Sequence, residues 1–539
     1  MVDSLSSIWG STPRGIVRAM RKSLMHVVLS LLASLGLLAC AGSTIPAPST
    51  VPAPDIAPAI ETAEQTAPEP KVETRWYRVD IGGQRAGWMM QRETIGVRTV
   101  TTESDMQLDL RRGAAEIHLE MADRFVEALD GTPISAWSRQ LLGPEPVETS
   151  YEFTPSTVIV TTRHGDRESR ERQELPGETG WLTPRQSQRA LEMALAAGQT
   201  DFLLSTVEPQ LGMTPTDEHW VLQAPALEVS ERPVDPTGQP VDVSRWHLSH
   251  SITPQVVTVV DLDAQGHVVR SSTPMMGLPM DLTWVSEAEA KADLEAPEIL
   301  VQSFILLDEP ILRPRHTRRA VYELWVDDGE LGELPSGGLQ TVEQSGNRAR
   351  VEVDLGRATP VDPDVDPATY LRASTHIDHE DPKIHDLVEL ALADAGDDIA
   401  GRAETLRTYV HNYLDARDLG SVMATATEAA VSRSGDCTEH SVLLAALLRA
   451  DGIPARVVSG LVYVDQFVGQ RQLFGYHMWT QALIDDHWVD LDASMPTPFD
   501  ATHIAFAATA FNDDKAAFLD LSRLAPLIGR AKLRVLEVE

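Results

Sequence analysis

The chain has 539 residues and a formal net charge of −35, with 45 basic side chains against 80 acidic ones. No cluster of Lys and Arg interrupts that acidity, which excludes a partner held through phosphates, nucleic acid above all. Two cysteines exclude a disulfide scaffold, and at roughly 150 residues per domain the length suggests about three domains.

The first predicted element is a signal segment. Met20, a possible start of translation besides Met1, precedes Arg21 and Lys22; an apolar stretch from Leu24 to Ala39 follows, and small residues close it. Leu37-Leu38-Ala39-Cys40 resembles the lipobox of bacterial lipoproteins. That resemblance implies removal of residues 1–39, acylation of Cys40 and attachment to a membrane through the lipid. Ala41, where an aspartate would signal retention, resembles outer-membrane sorting, so the expected location is the cell envelope, at the outer membrane facing the periplasm. Residues 40–72 are rich in Pro, Ala, Thr and Ser and too poor in bulky apolar side chains to pack, which reads as a flexible tether. No later run reaches the roughly 18 apolar residues of a membrane-spanning helix.

Residues 73–290 read as a β-rich region of one or two domains. Trp76–Ile81, Gly82-Gly83 and Trp88–Met90 predict a hairpin, because paired glycines supply the positive φ of a tight turn. Further strands are expected at 147–153, 157–162, 219–222, 241–248, 256–263 and 267–270, with a helix at 186–197. The His and Asp residues here show no ligand spacing. An intermediate β-containing segment, 291–368, leads to a C-terminal domain at 369–500 and an extension at 501–539.

Within 369–500 the chemistry concentrates. Leu406, Tyr409, Val410, Tyr413 and Leu414 lie at helical spacing in an amphipathic helix over 404–414. Ser434-Gly435-Asp436 breaks the chain and offers a cap, Thr438–Ala450 is rich in helix formers, and Gly452-Ile453-Pro454 ends them. Cys437 therefore sits at or beside a helix N-terminus, where the amide dipoles favour a thiolate. A strand, Ile453–Tyr463, follows. Downstream, GYHMWTQALIDDHWVDLDAS predicts a hairpin turning at Asp485-Asp486. In that register Met478, Thr480, Ala482, Ile484, Val489, Leu491 and Ala493 share a core face. His477, Trp479, Gln481, Asp490, Asp492 and Ser494 share the other. Asp492 is then a diagonal neighbour of His477, while Asp490 is the alternative acid. His440, one turn after Cys437, is the alternative base. Cys437, His440 and His477 with an aspartate form a metal set only on paper, since no CxxC or HExxH spacing supports it.

Gly435-Asp436-Cys437, LLRADGIPARVVSG, Tyr476-His477-Met478-Trp479 and Trp488-Val489-Asp490-Leu491-Asp492 together resemble the bacterial transglutaminase-like family. The resemblance covers about 370–500 and implies an α+β fold with a papain-like core, a cysteine-bearing helix packed on an antiparallel sheet, preceded by β-rich domains. It further implies a Cys437-His477-Asp492 triad, no cofactor, and a peptide or protein substrate whose amide bond is hydrolysed or transferred. A catalytically silent periplasmic scaffold or protein-binding lipoprotein is the alternative, because transglutaminase-like folds also serve as binding modules.

Overall fold

In the computed structural model, residues 69–539 are described apart from 114, 166, 176–179, 211, 224–231, 276–277, 328–330, 415–422 and 512–526. The signal segment, Cys40 and all but the last residues of the tether lie outside the described residues.

Fourteen strands form the N-terminal sheet. They are β1 (Lys71–Ile81), β2 (Gln84–Ile95), β3 (Thr99–Arg112), β4 (Ala115–Ala128), β5 (Pro133–Leu141), β6 (Val147–Phe153), β7 (Thr157–His164), β8 (Arg167–Glu174), β9 (Asp201–Glu208), β10 (Gly212–Leu222), β11 (Ser244–His250), β12 (Thr253–Leu262), β13 (Val268–Met275) and β14 (Leu278–Val285). Their spatial order is β8-β7-β6-β5-β4-β3-β2-β1-β14-β13-β12-β11-β10-β9. Two antiparallel meanders thus meet at one seam, where β1 pairs β14 from Trp76↔Val285 to Ile81↔Met280. The predicted first hairpin is present, with Gly82 at φ 59° and Gly83 at φ 76°. The sheet curls until its far end meets β5 and β6: the Tyr151 hydroxyl donates to the Pro209 carbonyl at 2.7 Å, and the Ser138 hydroxyl to the same oxygen at 3.2 Å. Helix α1 (Pro184–Ala196), capped by Thr183, packs Leu191 into the core.

The C-terminal half holds two smaller sheets and a helical layer. One sheet runs β15 (Ile305–Leu306), β20 (Gln470–Ile484), β19 (Ala455–Phe467), β22 (His503–Thr509), with β21 (His487–Leu491) paired to β20. The other runs β17 (Gln340–Ser345), β18 (Arg348–Asp354), β16 (Arg319–Trp325), β23 (Lys532–Val538). Residues 501–539, read as an extension, thus contribute one strand to each sheet. The helices are α2 (Pro382–Ala391), α3 (Ile399–Tyr413), α4 (Ala426–Ser432) and α5 (Cys437–Ala450).

Helix α5 is the centre of this layer. Residues Cys437 to Arg449 are all buried; the run Val442–Leu448 is apolar on every side, as expected of a buried helix, and α2, α3 and α4 pack around α5 against β19 and β20. The middle of β20 is buried on both faces, which explains a sequence with little polar alternation. Gly460 of β19 is obligatory, since a Cβ there would lie 2.0 Å from the Ile504 carbonyl oxygen of β22.

Candidate active site

The site begins with the start of α5. Asp436 is the N-cap: its carboxylate accepts from the Thr438 amide at 2.8 Å, and the Glu439 carboxyl accepts the Asp436 amide at 2.9 Å in a closed capping box. Glu439 also accepts from the Ala424 amide at 3.1 Å. Burial first, and the charge of Asp436 second, push the Glu439 carboxyl well above the usual carboxylate range. Gly435 makes the box possible, because a Cβ there would fall 2.2 Å from the Glu439 Cβ. Cys437 is the first residue of the helix, and its thiol is fully buried and in no disulfide. His440, the alternative base, turns its Nδ1 to the Asp436 carbonyl at 2.6 Å.

The downstream hairpin has the two-residue turn expected of it. Ile484 pairs His487 and Leu483 pairs Trp488, with Asp485 at φ 48° and Asp486 at φ 60°. Thr480 therefore faces α5 and donates its hydroxyl to the Ser441 carbonyl at 3.0 Å. The Leu483 amide donates to the Pro454 carbonyl, just beyond the end of α5, at 2.8 Å. Helix and strand thus run in the same direction. Four residues toward the helix N-terminus from Ser441, about 6 Å of rise, lies Cys437. Three residues back along the strand from Thr480, about 10 Å, lies His477. Both sit at the same end of the contact.

The edge of β20 is open at that end. β15 pairs Leu473 and Phe474, and β21 pairs from Thr480 onward. Among the described residues no strand pairs Gly475–Trp479 on this edge. The chain after β21 leaves the sheet because α3 holds its carbonyls: Arg407 donates to those of Asp492 (3.2 Å) and Met495 (3.0 Å), and the His411 Nδ1 lies 3.0 Å from that of Ala493.

Asp492 nonetheless reaches His477, with Nε2 and Oδ2 2.9 Å apart. Its other oxygen accepts from the Ser494 amide at 2.8 Å and the Ser494 hydroxyl at 2.7 Å. A fourth donor, His503 Nε2, approaches Oδ2 at 3.2 Å. The carboxylate, which offers about four lone-pair sites, is saturated. Burial alone would raise it, but the charge of His477 and the hydrogen bonds from both imidazoles hold it well below the usual range. Asp490, the alternative orienting acid, is occupied otherwise: it accepts from Trp479 Nε1 and Gln481 Nε2, each at 2.7 Å. Burial raises its pKa.

His503 is a residue that sequence reasoning missed. Its Nδ1 lies 3.0 Å from the Asp500 backbone carbonyl, which can only accept, and its Nε2 faces an ionised carboxylate. Both nitrogens must therefore carry protons, and the ring is an imidazolium. Burial opposes that charge, but the bonds to Asp492 and Asp500 outweigh it and lift the pKa to about 9. Asp500 in turn pairs with Arg315 at 2.9 Å. Arg315, Asp500, His503 and Asp492 form a line of alternating charge that ends on His477.

Trp479 and Trp488 line a cavity of about 870 Å³ together with Gln481, Asp490, His503 and Arg456. Strand alternation puts this cavity on the face of β20 away from α5. Two groups of described residues bring three ligand-type atoms together: His477, Asp492 and His503, and a more exposed set of Glu145, His164 and Glu428. In the first group the ligand atoms already hydrogen-bond one another, and Cys437 and His440 belong to neither.

No curated protein matches the sequence. Among solved structures, the chain is similar to a β-barrel-like protein of a domain of unknown function from Brucella abortus, at 13% identity over 40% of this chain and 96% of that one, with a TM-score of 0.31. It is similar to a candidate cysteine protease from Cytophaga hutchinsonii at 14% identity over 44% and 85%, TM-score 0.26. A candidate protease from Parabacteroides distasonis matches at 10% identity over 68% and 64%, TM-score 0.18. The model of the transglutaminase-like superfamily matches residues 388–493. That span takes in α3, α4, the whole of α5, the β19–β21 strands and Asp492, so the chain carries a transglutaminase-like superfamily domain over residues 388–493.

Proposed function

We propose that this domain is a thiol-dependent enzyme of acyl transfer or amide hydrolysis, with Cys437 as nucleophile, His477 as general base and acid, and Asp492 as the group that orients the imidazole. The main support is the 2.9 Å contact between His477 Nε2 and Asp492. With the Nε2 proton committed to a saturated carboxylate, Nδ1 is the nitrogen left to exchange a proton with a thiol. The thiolate attacks the carbonyl carbon of the substrate, and the backbone N–H of Cys437 stabilises the oxyanion. On collapse the C–N bond breaks, and His477 returns its proton to the departing amine. Water then hydrolyses the acyl-enzyme, or an amine takes up the acyl group. The reading extends to a papain-like core and to export, with the domain tethered to the envelope through acylated Cys40.

Peptide-resolved mass spectrometry of iodoacetamide labelling tests the site. Cys437 is expected to label well faster near neutral pH than an unactivated thiol, and His477→Ala to remove the advantage. Labelling at the rate of an ordinary thiol, unaffected by His477→Ala, would leave the scaffold reading in its place. Incubation with a peptide library and an amine donor separates hydrolysis from transfer by mass.

A further inference from the structure

The start of α5 receives a residue from far away in the sequence. Arg112, the last residue of β3, is fully buried, and its Nη2 donates to Asp436 Oδ2 at 2.8 Å, with both side chains at 0% exposure. The end of β3 is held in place on two sides. The Arg111 amide donates to the Pro297 carbonyl at 2.8 Å and the Gly113 amide to Glu298 at 2.7 Å. Beyond it, Ala115 and Leu300 pack with Phe304, Phe467 and Val468 of the β19–β20 turn. Other contacts draw the same sheet onto the helical layer: His164 to Glu428 at 3.4 Å, Arg167 to Asp378 and Asp381, and the Met423 amide to the Leu142 carbonyl at 3.2 Å.

The placement of Arg112 solves an electrostatic problem. A capping carboxylate next to the thiol stabilises the helix but opposes ionisation of the cysteine, because both groups would be anions in a dry site. A cation on that carboxylate cancels the opposition. Several other charged groups on the elements packed on α5 are engaged elsewhere, while the buried Tyr476 of β20 is held neutral by burial, which raises its pKa. Glu428 of α4 meets His164, Arg407 of α3 holds the Asp492 carbonyl, and His477 of β20 meets Asp492. On α5 itself are Glu439, inside the capping box, and His440, turned to the Asp436 carbonyl.

We propose that Arg112 is a positioning residue for Cys437: the N-terminal sheet supplies the charge that balances the capping carboxylate, so the thiol site is complete only when that sheet is docked. The proposal rests on Cys437 being the nucleophile and is tested separately from it. The measurement is the pH midpoint of iodoacetamide labelling of the Cys437 peptide in the full chain. Arg112→Met is expected to raise the midpoint by about one to two pH units, roughly tenfold or more in labelling rate below it. Arg112→Lys, which keeps the charge, should restore most of the shift. Asp436→Asn, nearly isosteric, should move the midpoint the other way, because Arg112 is then unopposed. A merely structural role for Arg112 does not give opposite signs. If Arg112→Met does not fold, Asp436→Asn decides alone, and a midpoint that stays or rises overturns the proposal. A wild-type midpoint at the ordinary thiol value of about 8.5 refutes the nucleophile reading itself. A low wild-type midpoint that neither variant moves refutes only the role of Arg112.

Discussion

Replacing His503 with Gln keeps a hydrogen-bond donor beside Asp492 and removes a buried positive charge. The imidazolium persists to about pH 9 in the fold, against an ordinary value near 6.5 in the unfolded chain. At 1.36 kcal/mol per pH unit, that linkage contributes about 3 kcal/mol to stability at pH 6. Because the folded value is raised, the contribution is complete below about 6.5 and disappears as the pH climbs through 9. The gap in melting temperature between wild type and His503→Gln should therefore be widest at pH 6. For a unit of 150–250 residues it is roughly 6–12 °C, and its pH-dependent part should vanish by about pH 10. Thermal unfolding followed by tryptophan fluorescence reads it. A gap that stays constant from pH 6 to 10 would refute the imidazolium assignment, whatever its size.

Asp492 carries the opposite sign: its folded value is depressed, so its contribution is present above the ordinary carboxylate value and lost as the pH falls, which should appear as acid destabilisation that Asp492→Asn lacks. The same variant should slow turnover of any substrate found, and labelling of Cys437, by roughly 10²- to 10⁴-fold, because an amide cannot accept from all four donors that Asp492 satisfies; a loss of less than about threefold would count against the triad. Gly460→Ala should destabilise the domain by about 2–4 kcal/mol, measured by denaturant unfolding, since the added methyl meets the Ile504 carbonyl at 2.0 Å. Cys40→Ser should leave an unprocessed precursor without lipid, visible by mass spectrometry, and unchanged membrane partition would argue against the lipobox.

The features legible in the sequence were those set by near neighbours. Asp485-Asp486 fixes the hairpin register by its turn chemistry as far as Thr480↔Leu491, whereas the final approach of Asp492 to His477 depends on the α3 contacts that draw the chain out of the sheet. Gly435 and Asp436 likewise mark the helix start through local caps. Other strands lacked a local signal. β8 is exposed along nearly its whole length and has the sequence RESRERQE, so no apolar alternation reveals it. β3 and β4 bury alternate residues, but charged outer faces dilute the pattern. His503 reaches Asp492 only because β22 pairs β19. Its strand, HIAFAAT, is a short continuous apolar run of the kind a covered strand shows, which could have revealed β22 though not its partner. Arg112 carries no signal at all, since 324 residues separate it from Asp436.

The seam between β1 and β14 has a consequence for how the large sheet comes together. Every other pairing in it joins strands consecutive in the chain, which zip locally, whereas this one joins Trp76 to Val285. Closing a loop of roughly 200 residues costs about 2–3 kcal/mol more entropy than closing a short hairpin. The two meanders should therefore form early and separately, with the seam as the slow step. Until it closes, each presents a bare strand edge, the state in which a newly made chain is most exposed to mispairing.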